Sequence, residues 1–213
     1  MTSTAENAPA AFRSTKKFKV CYGDPPWMRA QLGKRGAINH YNLMSTEAIK
    51  SMPIADLMDD NSTLLLWTTN AALPEALEVM RAWGFEYKGN AVWDKYFMGL
   101  GNYFRGSHEL LLHGIRGSAP WKFHGQRSTL LLPRTTHSTK PAEMIPLIER
   151  VLDGPYLELF ARQRPNSHKD WSVWGNEAPG GSDIRIPGYP VPEYSVRAGI
   201  ADHGHVDGDQ DDA

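Results

Sequence analysis

Cysteine is nearly absent from the sequence, because Cys21 is the single cysteine in 213 residues. An internal disulfide is therefore excluded, and so is a metal cluster held by thiolates. The sequence also lacks an apolar run long enough to cross a membrane, and its first residues lack the layout of a secretion signal. The histidines do not have the spacing of metal ligands. We therefore expect a protein of the reducing cytoplasm, with no metal site and no membrane partner.

Excess charge of either sign is also scarce, since the formal net charge is −1, but the charges are unevenly distributed. Residues 178–213 contain seven acidic residues and two arginines, which leaves the rest of the chain net positive. Residues 1–15 are small and polar, without hydrophobic periodicity. A chain of this length forms one domain. We predict a disordered leader over 1–15, one domain over 16–178 and an acidic C-terminal tail over 179–213.

Short apolar runs alternate with segments of helical periodicity in the predicted domain. The runs predict strands at Phe18–Gly23, Leu64–Trp67, Phe85–Asp94, Glu109–Ile115 and Tyr156–Phe160. The periodic segments predict helices at Ser45–Met52, Pro74–Trp83 and Pro141–Leu152. Strands that alternate with helices are typical of α/β domains, so we predict a doubly wound, Rossmann-like and mostly parallel sheet.

The first predicted strand runs directly into Asp24-Pro25-Pro26-Trp27. Asp24 then lies at the carboxyl end of a strand, where open α/β sheets bind ligands. Prolines lack an N–H, so this turn offers carbonyl oxygens, a carboxylate and the aromatic face of Trp27, but few donors. A planar ligand with two N–H donors, such as the exocyclic amine of a nucleobase, suits these groups. Taken alone, the motif is equally compatible with a proline-rich turn whose tryptophan is in the core.

Seven further motifs follow in order along the chain: His40-Tyr41-Asn42-Leu43-Met44-Ser45, Leu64-Leu65-Leu66-Trp67-Thr68-Thr69-Asn70, Trp83-Gly84-Phe85, Gly106-Ser107-His108-Glu109-Leu110, His137-Ser138-Thr139-Lys140-Pro141, Glu158-Leu159-Phe160-Ala161-Arg162 and Trp174-Gly175-Asn176-Glu177. Together with the proline motif they resemble the MTA-70 (MT-A70) family of adenine N(6)-methyltransferases, over about residues 18–178. The resemblance implies S-adenosylmethionine-dependent methylation of the exocyclic amine of adenine in nucleic acid. It also implies that Asp24, Pro25, Pro26 and Trp27 form the catalytic motif.

The motif chemistry fits that reaction. Adenine's amine is a poor nucleophile because its lone pair is delocalised into the ring. If Asp24 and the Pro25 carbonyl accept its N–H groups, the lone pair localises, and Asp24 stabilises the charge that develops. Trp27 is expected to flank the base, as is Tyr41, which is equally compatible with a half-buried loop residue.

No G-x-G-x-x-G sequence follows any predicted strand, so the usual nucleotide-binding fingerprint is missing. The resemblance implies that the methyl donor is bound by residues late in the chain, in a circularly permuted order. Lys140 matches a lysine that binds the donor's carboxylate, Arg162 an arginine near the ribose, and Asn176 and Glu177 ribose-binding positions. Without the resemblance, the sequence favours the interpretation that Lys140 and Arg162 are solvated surface residues. The family's upstream Asp-Ile pair is missing here, so residues 18–20 or Phe160 are the candidates for the donor's adenine pocket.

Between Lys95 and Lys140 the chain is basic and rich in aromatic residues. Phosphates attract the basic residues and unstacked bases the aromatic ones, which predicts nucleic-acid contacts by Arg105 and Lys122. A solvated loop region is the alternative. Glu109 matches a glutamate beside the target base, or simply begins a strand. The resemblance favours DNA over RNA as substrate, and leaves open a homo- or heterodimer or a non-catalytic nucleic-acid-binding subunit.

Overall fold

The computed structural model describes residues 16–28, 43–99, 103–133 and 140–191. The predicted leader over 1–15 and the predicted tail from residue 192 onward lie outside the described residues. The described residues nevertheless include nearly all of the predicted domain, together with the first part of the predicted tail.

One seven-stranded sheet organises these residues. Its strands are β1 (Phe18–Gly23), β2 (Met58–Thr68), β3 (Glu86–Asp94), β4 (His108–Arg116), β5 (Thr129–Leu131), β6 (Tyr156–Leu159) and β7 (Trp171–Trp174). Their order across the sheet is β5-β3-β4-β2-β1-β6-β7. The β1/β2, β1/β6, β6/β7 and β3/β5 pairs are parallel, whereas β4 runs antiparallel to β2 and β3. The prediction of a mostly parallel α/β sheet is confirmed.

In the described residues, three α-helices cover the sheet: α1 (Thr46–Lys50), α2 (Leu73–Ala82) and α3 (Met144–Val151). The core on one face contains Cys21 and Leu66 with buried residues of α1 and α2, while the core on the other contains Tyr22 and Trp67 with residues of α3. Neighbouring strand residues point to opposite faces, so the continuous apolar runs of β1 and β2 are buried by both layers. The sheet is therefore doubly wound, as predicted. No helix in the described ranges is long and apolar enough to span a membrane.

The helix starts follow local signals in the sequence. Ser45 is the N-cap of α1 as predicted, and its side chain accepts a hydrogen bond from the Ala48 N–H at 3.1 Å. Pro74 lies in the first turn of α2, where its missing N–H costs no intrahelical bond. Gly84 follows α2 with φ of +83°, a left-handed conformation that glycine adopts without strain.

The sequence pattern does not predict β5 and β7. Strand β5 has three residues on the edge of the sheet, and β7 has four, of which Ser172 is polar. Runs this short carry little periodicity, and only their pairing with β3 and β6 makes them strands.

The segment after Ala178, the first part of the predicted acidic tail, packs against the domain as far as Val191. Ile186 is buried, and the Ser182 hydroxyl accepts a hydrogen bond from the Gly175 N–H at 2.9 Å. The Asp183 carboxylate accepts from the buried Val173 N–H at 2.9 Å and from both terminal nitrogens of Arg164 at 3.0 Å. Residues 179–191 contain one acidic residue, Asp183, and one arginine, and that aspartate bonds the segment to the domain.

Replacing Asp183 by alanine should lower the free energy of unfolding by about 1–3 kcal/mol, because the Val173 N–H would lose its partner. Urea denaturation measures this change. Glu86→Ala is the control, since it breaks an exposed ion pair with Lys88 and should change the free energy by less than about 0.5 kcal/mol. Equal losses in the two variants would contradict the role of Asp183.

Candidate active site

Asp24 follows β1, which has β2 on one side and β6 on the other, both parallel to it. The chain thus leaves β1 at a point where neighbouring connections run to opposite sides of the sheet. Such a switch point opens a crevice beyond the carboxyl ends of the strands. Because both layers of the core bury the apolar run of β1, this strand lies in the interior of the sheet. Asp24, which directly follows its carboxyl end, therefore lies in the crevice.

The backbone of the proline motif is bound on both sides. The Pro25 carbonyl accepts a hydrogen bond from the Trp27 N–H at 2.9 Å, and the Pro26 carbonyl accepts from the Met44 N–H at 3.1 Å. The indole N–H of Trp27 donates to the Trp67 carbonyl at 3.0 Å, and the ring is 5% exposed. Trp27 is thus a core residue whose remaining surface contributes to the crevice. Tyr41 lies outside the described residues.

Four charged side chains form a cluster beside the motif. The Lys140 ammonium contacts the Asp24 carboxylate and lies 3.2 Å from Glu109 Oε2, and the Lys95 ammonium contacts the other oxygen of Glu109. Lys140 also lies 5.4 Å from the centre of the Trp67 ring. The cluster brings together parts of the chain that are far apart in sequence. Asp24 follows β1, Lys95 follows β3, Glu109 lies on β4 and Lys140 precedes α3.

Burial and pairing act on these groups in opposite directions. Burial raises the pKa of Asp24, and this outweighs the attraction of Lys140. Burial alone would lower the pKa of Lys140, but the two adjacent carboxylates raise it. For Glu109 burial would raise the pKa, but Lys140 and Lys95 together lower it. Pairing therefore favours the charged forms of Lys140 and Glu109, whereas burial disfavours the charged form of Asp24.

The predicted donor-binding residues follow the ends of β6 and β7. Phe160 and Arg162 come after β6, while Asn176 and Glu177 come after β7, and Arg162 Nε lies 3.0 Å from Glu177 Oε2. The two turns approach closely at Gly175, where a Cβ would lie 2.2 Å from the Ala161 carbonyl oxygen. Any side chain at residue 175 would separate the turns.

A single cavity of about 400 Å³ joins the two groups of residues. Its lining includes the proline motif, Glu109, Lys140 and the turns after β6 and β7. This volume is in the range of small-ligand sites. Cations, carboxylates and an amide along one cavity fit a zwitterionic nucleoside such as S-adenosylmethionine.

Two predicted substrate residues do not line this cavity. Arg105 is exposed in the connection between β3 and β4, and the Lys122 ammonium lies 2.6 Å from Asp153, after α3. Lys140 precedes α3 and Lys122 contacts residues at its far end, so the helix separates the two lysines.

Glu158 is a site residue that the sequence analysis missed. It lies on β6 between Leu157 and Leu159 and lines a second cavity, of about 110 Å³, with Asp24 and Lys140. Burial and the charge of Asp24 raise its pKa to about 8. The available signal was a carboxylate inside an otherwise apolar strand.

Glu158 should make stability depend on pH. Its folded pKa of about 8 exceeds its ordinary value of 4.5, so the folded protein binds this proton more tightly and loses stability as pH rises between those values. Glu158→Gln removes that loss. Since each pKa unit corresponds to about 1.4 kcal/mol, the variant should gain a few kcal/mol over the wild type by pH 9. Chemical denaturation at pH 5 and pH 9 tests this, with Glu86→Gln as an exposed control. A stability difference that is the same at both pH values would contradict it.

Comparison with known proteins identifies the relatives of this chain. Residues 18–177 match the MT-A70 family model. The type II methyltransferase M.MunI of a Mycoplasma species is 28% identical over 195 residues, which cover 81% of this chain and 82% of that protein. The N(6)-adenosine-methyltransferase catalytic subunit METTL3 of Homo sapiens is 28% identical over 176 residues, which cover 77% of this chain and 29% of that protein.

An MT-A70-like N(6)-adenosine-methyltransferase of Arabidopsis thaliana is 27% identical over 173 residues, or 76% of this chain and 24% of that protein. The chain thus spans most of M.MunI but less than a third of the two adenosine methyltransferases. The family match runs from β1 to the turn after β7 and includes the catalytic motif and the predicted donor-binding residues. The chain belongs to the MT-A70 family.

Proposed function

We propose that this protein is an S-adenosylmethionine-dependent methyltransferase that methylates the exocyclic amine of adenine in DNA. The observation that carries the proposal is the single cavity that connects Asp24 of the catalytic motif with Lys140, Arg162 and Glu177. An acceptor amine at one end and a methyl donor at the other are then within reach of each other. The family match supports the same reaction.

At the acceptor end, the Asp24 carboxylate and the free lone pair of the Pro25 carbonyl accept the two N–H groups of the amine. The amine nitrogen then attacks the donor's methyl carbon, so that an N–C bond forms as the S–C bond breaks. The nitrogen carries positive charge until it loses a proton, and the Asp24 carboxylate, already in place, stabilises that charge. Glu109, which Lys140 contacts at 3.2 Å, is proposed to lie beside the target base.

At the donor end, Lys140 binds the donor's carboxylate, which replaces one of the carboxylates it contacts in the described cluster. Arg162, Asn176 and Glu177 bind the ribose, and Phe160 contacts the nucleoside. These donor residues follow the catalytic motif in the chain, which is the circularly permuted order that the family resemblance implies.

DNA is proposed as the substrate because the chain covers 82% of a type II methyltransferase but only 29% of METTL3. DNA adenines are stacked in a duplex, so the target base must leave the stack to reach a crevice at the sheet edge. An RNA substrate is the alternative. A methyl-transfer assay run with DNA and with RNA distinguishes the two.

The connection between β3 and β4 is a further part of the proposed nucleic-acid surface. Hydrogen bonds from the Lys95 N–H to the Ser107 carbonyl at 2.8 Å and from the Gly99 N–H to the Gly106 carbonyl at 2.7 Å close its base. Tyr103 and Phe104 are each 96% exposed. Exposed aromatic rings beside a basic residue suit unstacked bases and phosphates, respectively.

Asp24→Ala should reduce methyl transfer by about two to three orders of magnitude, because it removes the group that stabilises the developing charge. Donor affinity should change little. The measurement combines calorimetric binding of S-adenosylmethionine with transfer of a labelled methyl group to DNA or RNA, followed by nucleoside analysis.

Asp170→Ala is the matched control, because that carboxylate pairs with Lys16 at an exposed site. Normal turnover by Asp24→Ala would contradict the proposed mechanism. A wild-type protein that binds DNA and donor but transfers no methyl group would instead support the alternative of a non-catalytic subunit.

Arg105→Ala should lower the dependence of DNA affinity on salt, reducing the slope of log K against log salt by about one. Lys122→Ala is the matched comparison, because its ammonium already pairs with Asp153 and its effect should be smaller. Binding titrations at several salt concentrations measure both slopes. An unchanged slope for Arg105→Ala would exclude a phosphate contact by that residue.

A further inference from the structure

The family match ends at residue 177, yet the cavity does not. Gly188, Tyr189, Pro190 and Val191 line the same 400 Å³ cavity as Lys140 and Arg162. Part of the site is therefore built by this chain's own C-terminal segment, beyond the family match.

Several bonds hold this segment against the domain. The Tyr189 hydroxyl donates a hydrogen bond to the carbonyl of Ala48, in α1, at 2.6 Å. The Tyr189 N–H donates to the Ile186 carbonyl at 3.0 Å, and Ile186 is buried in the core. Gly188 has φ of +81°, which lets the chain turn between these two anchors.

Trp174, at the end of β7, joins the segment to the predicted ribose residues. It lines the main cavity and also a cavity of about 300 Å³ formed with residues 184–191. The side chain is 4% exposed, and its indole N–H is buried without a hydrogen-bond partner among the described residues. A buried donor without a partner is costly, so an acceptor that reached this nitrogen would stabilise the site.

We infer that Trp174 and the segment Gly188–Val191 enclose the adenine ring of the methyl donor, with the indole N–H donating to a ring nitrogen. The inference rests on the proposed function. If Lys140 binds the donor's carboxylate and Asn176 and Glu177 bind its ribose, the adenine lies on the other side of the ribose from the carboxylate. Trp174 and the segment Gly188–Val191 are proposed to lie on that side.

The sequence-based candidates fit this position less well. Residues 18–20 begin β1, whereas Asp24 follows its carboxyl end, so they lie at the opposite edge of the sheet from the cavity. Phe160 does line the cavity, and its ring packs edge-on against Trp174 at 5.4 Å between centres. Phe160 therefore forms one part of the enclosure and Trp174 another.

The test compares two ligands by calorimetry: S-adenosylmethionine, and 5′-methylthioadenosine, which lacks the amino-acid end. Trp174→Phe should weaken both ligands by a similar factor, about three- to tenfold, as expected for one lost hydrogen bond. Tyr189→Ala should also weaken both. Lys140→Ala should weaken S-adenosylmethionine at least tenfold and leave 5′-methylthioadenosine unchanged, because it acts on the carboxylate.

Tyr87→Ala is the control for Tyr189→Ala, since Tyr87 is a partly exposed tyrosine bonded to Asn90 on β3, away from the cavity. Thermal melts show whether each variant is folded. If Tyr189→Ala is unfolded, the affinities of Trp174→Phe alone test the adenine assignment. If the wild type binds the donor but Trp174→Phe leaves both affinities unchanged, the adenine assignment is overturned and the proposed function stands. If the wild type binds neither ligand, the proposed function itself is overturned.

Discussion

The site depends on the pairing of partly buried charges at the carboxyl end of β1. Asp24 and Glu109 would each be costly to bury alone, and Lys140 between them offsets that cost. Because Lys140 precedes α3 and Glu109 lies on β4, the cluster also ties these elements to the end of β1. The same electrostatic requirement therefore positions the catalytic motif and keeps a cation ready for an anionic ligand group.

The second constraint is the close approach of the turns after β6 and β7. The Ala161 N–H donates to the Trp174 carbonyl at 2.9 Å, and Gly175 leaves no room for a side chain between the two turns. Phe160 takes a positive φ of 61° in the first of these turns, a conformation that non-glycine residues adopt mainly where surrounding structure imposes it. The turns present Arg162 and Glu177 to one cavity, although fifteen residues separate them in the chain.

Much of the fold was predictable because its signals are local. The burial of β1 and β2, the Ser45 cap and the glycine after α2 each follow from a few neighbouring residues. The resemblance to the MT-A70 family also brought Asp24, Lys140 and Asn176 into one site before any distance was known, and all three line one cavity. Strands β5 and β7 could not be predicted, because three or four residues acquire a strand conformation only from the neighbour they pair with.

The sequence by itself determined the class of fold and the family, and it predicted the residues of the catalytic motif, since these depend on periodicity and on contiguous motifs. Only the tertiary structure decided that Lys140 contacts Asp24 and Glu109, that Lys122 pairs with Asp153 and that the half-buried Glu158 lines a cavity with Asp24. It also decided that the C-terminal segment Gly188–Val191 lines the same cavity. The physical reason is that charge pairing and burial depend on distances between residues far apart in the chain, which no local pattern encodes.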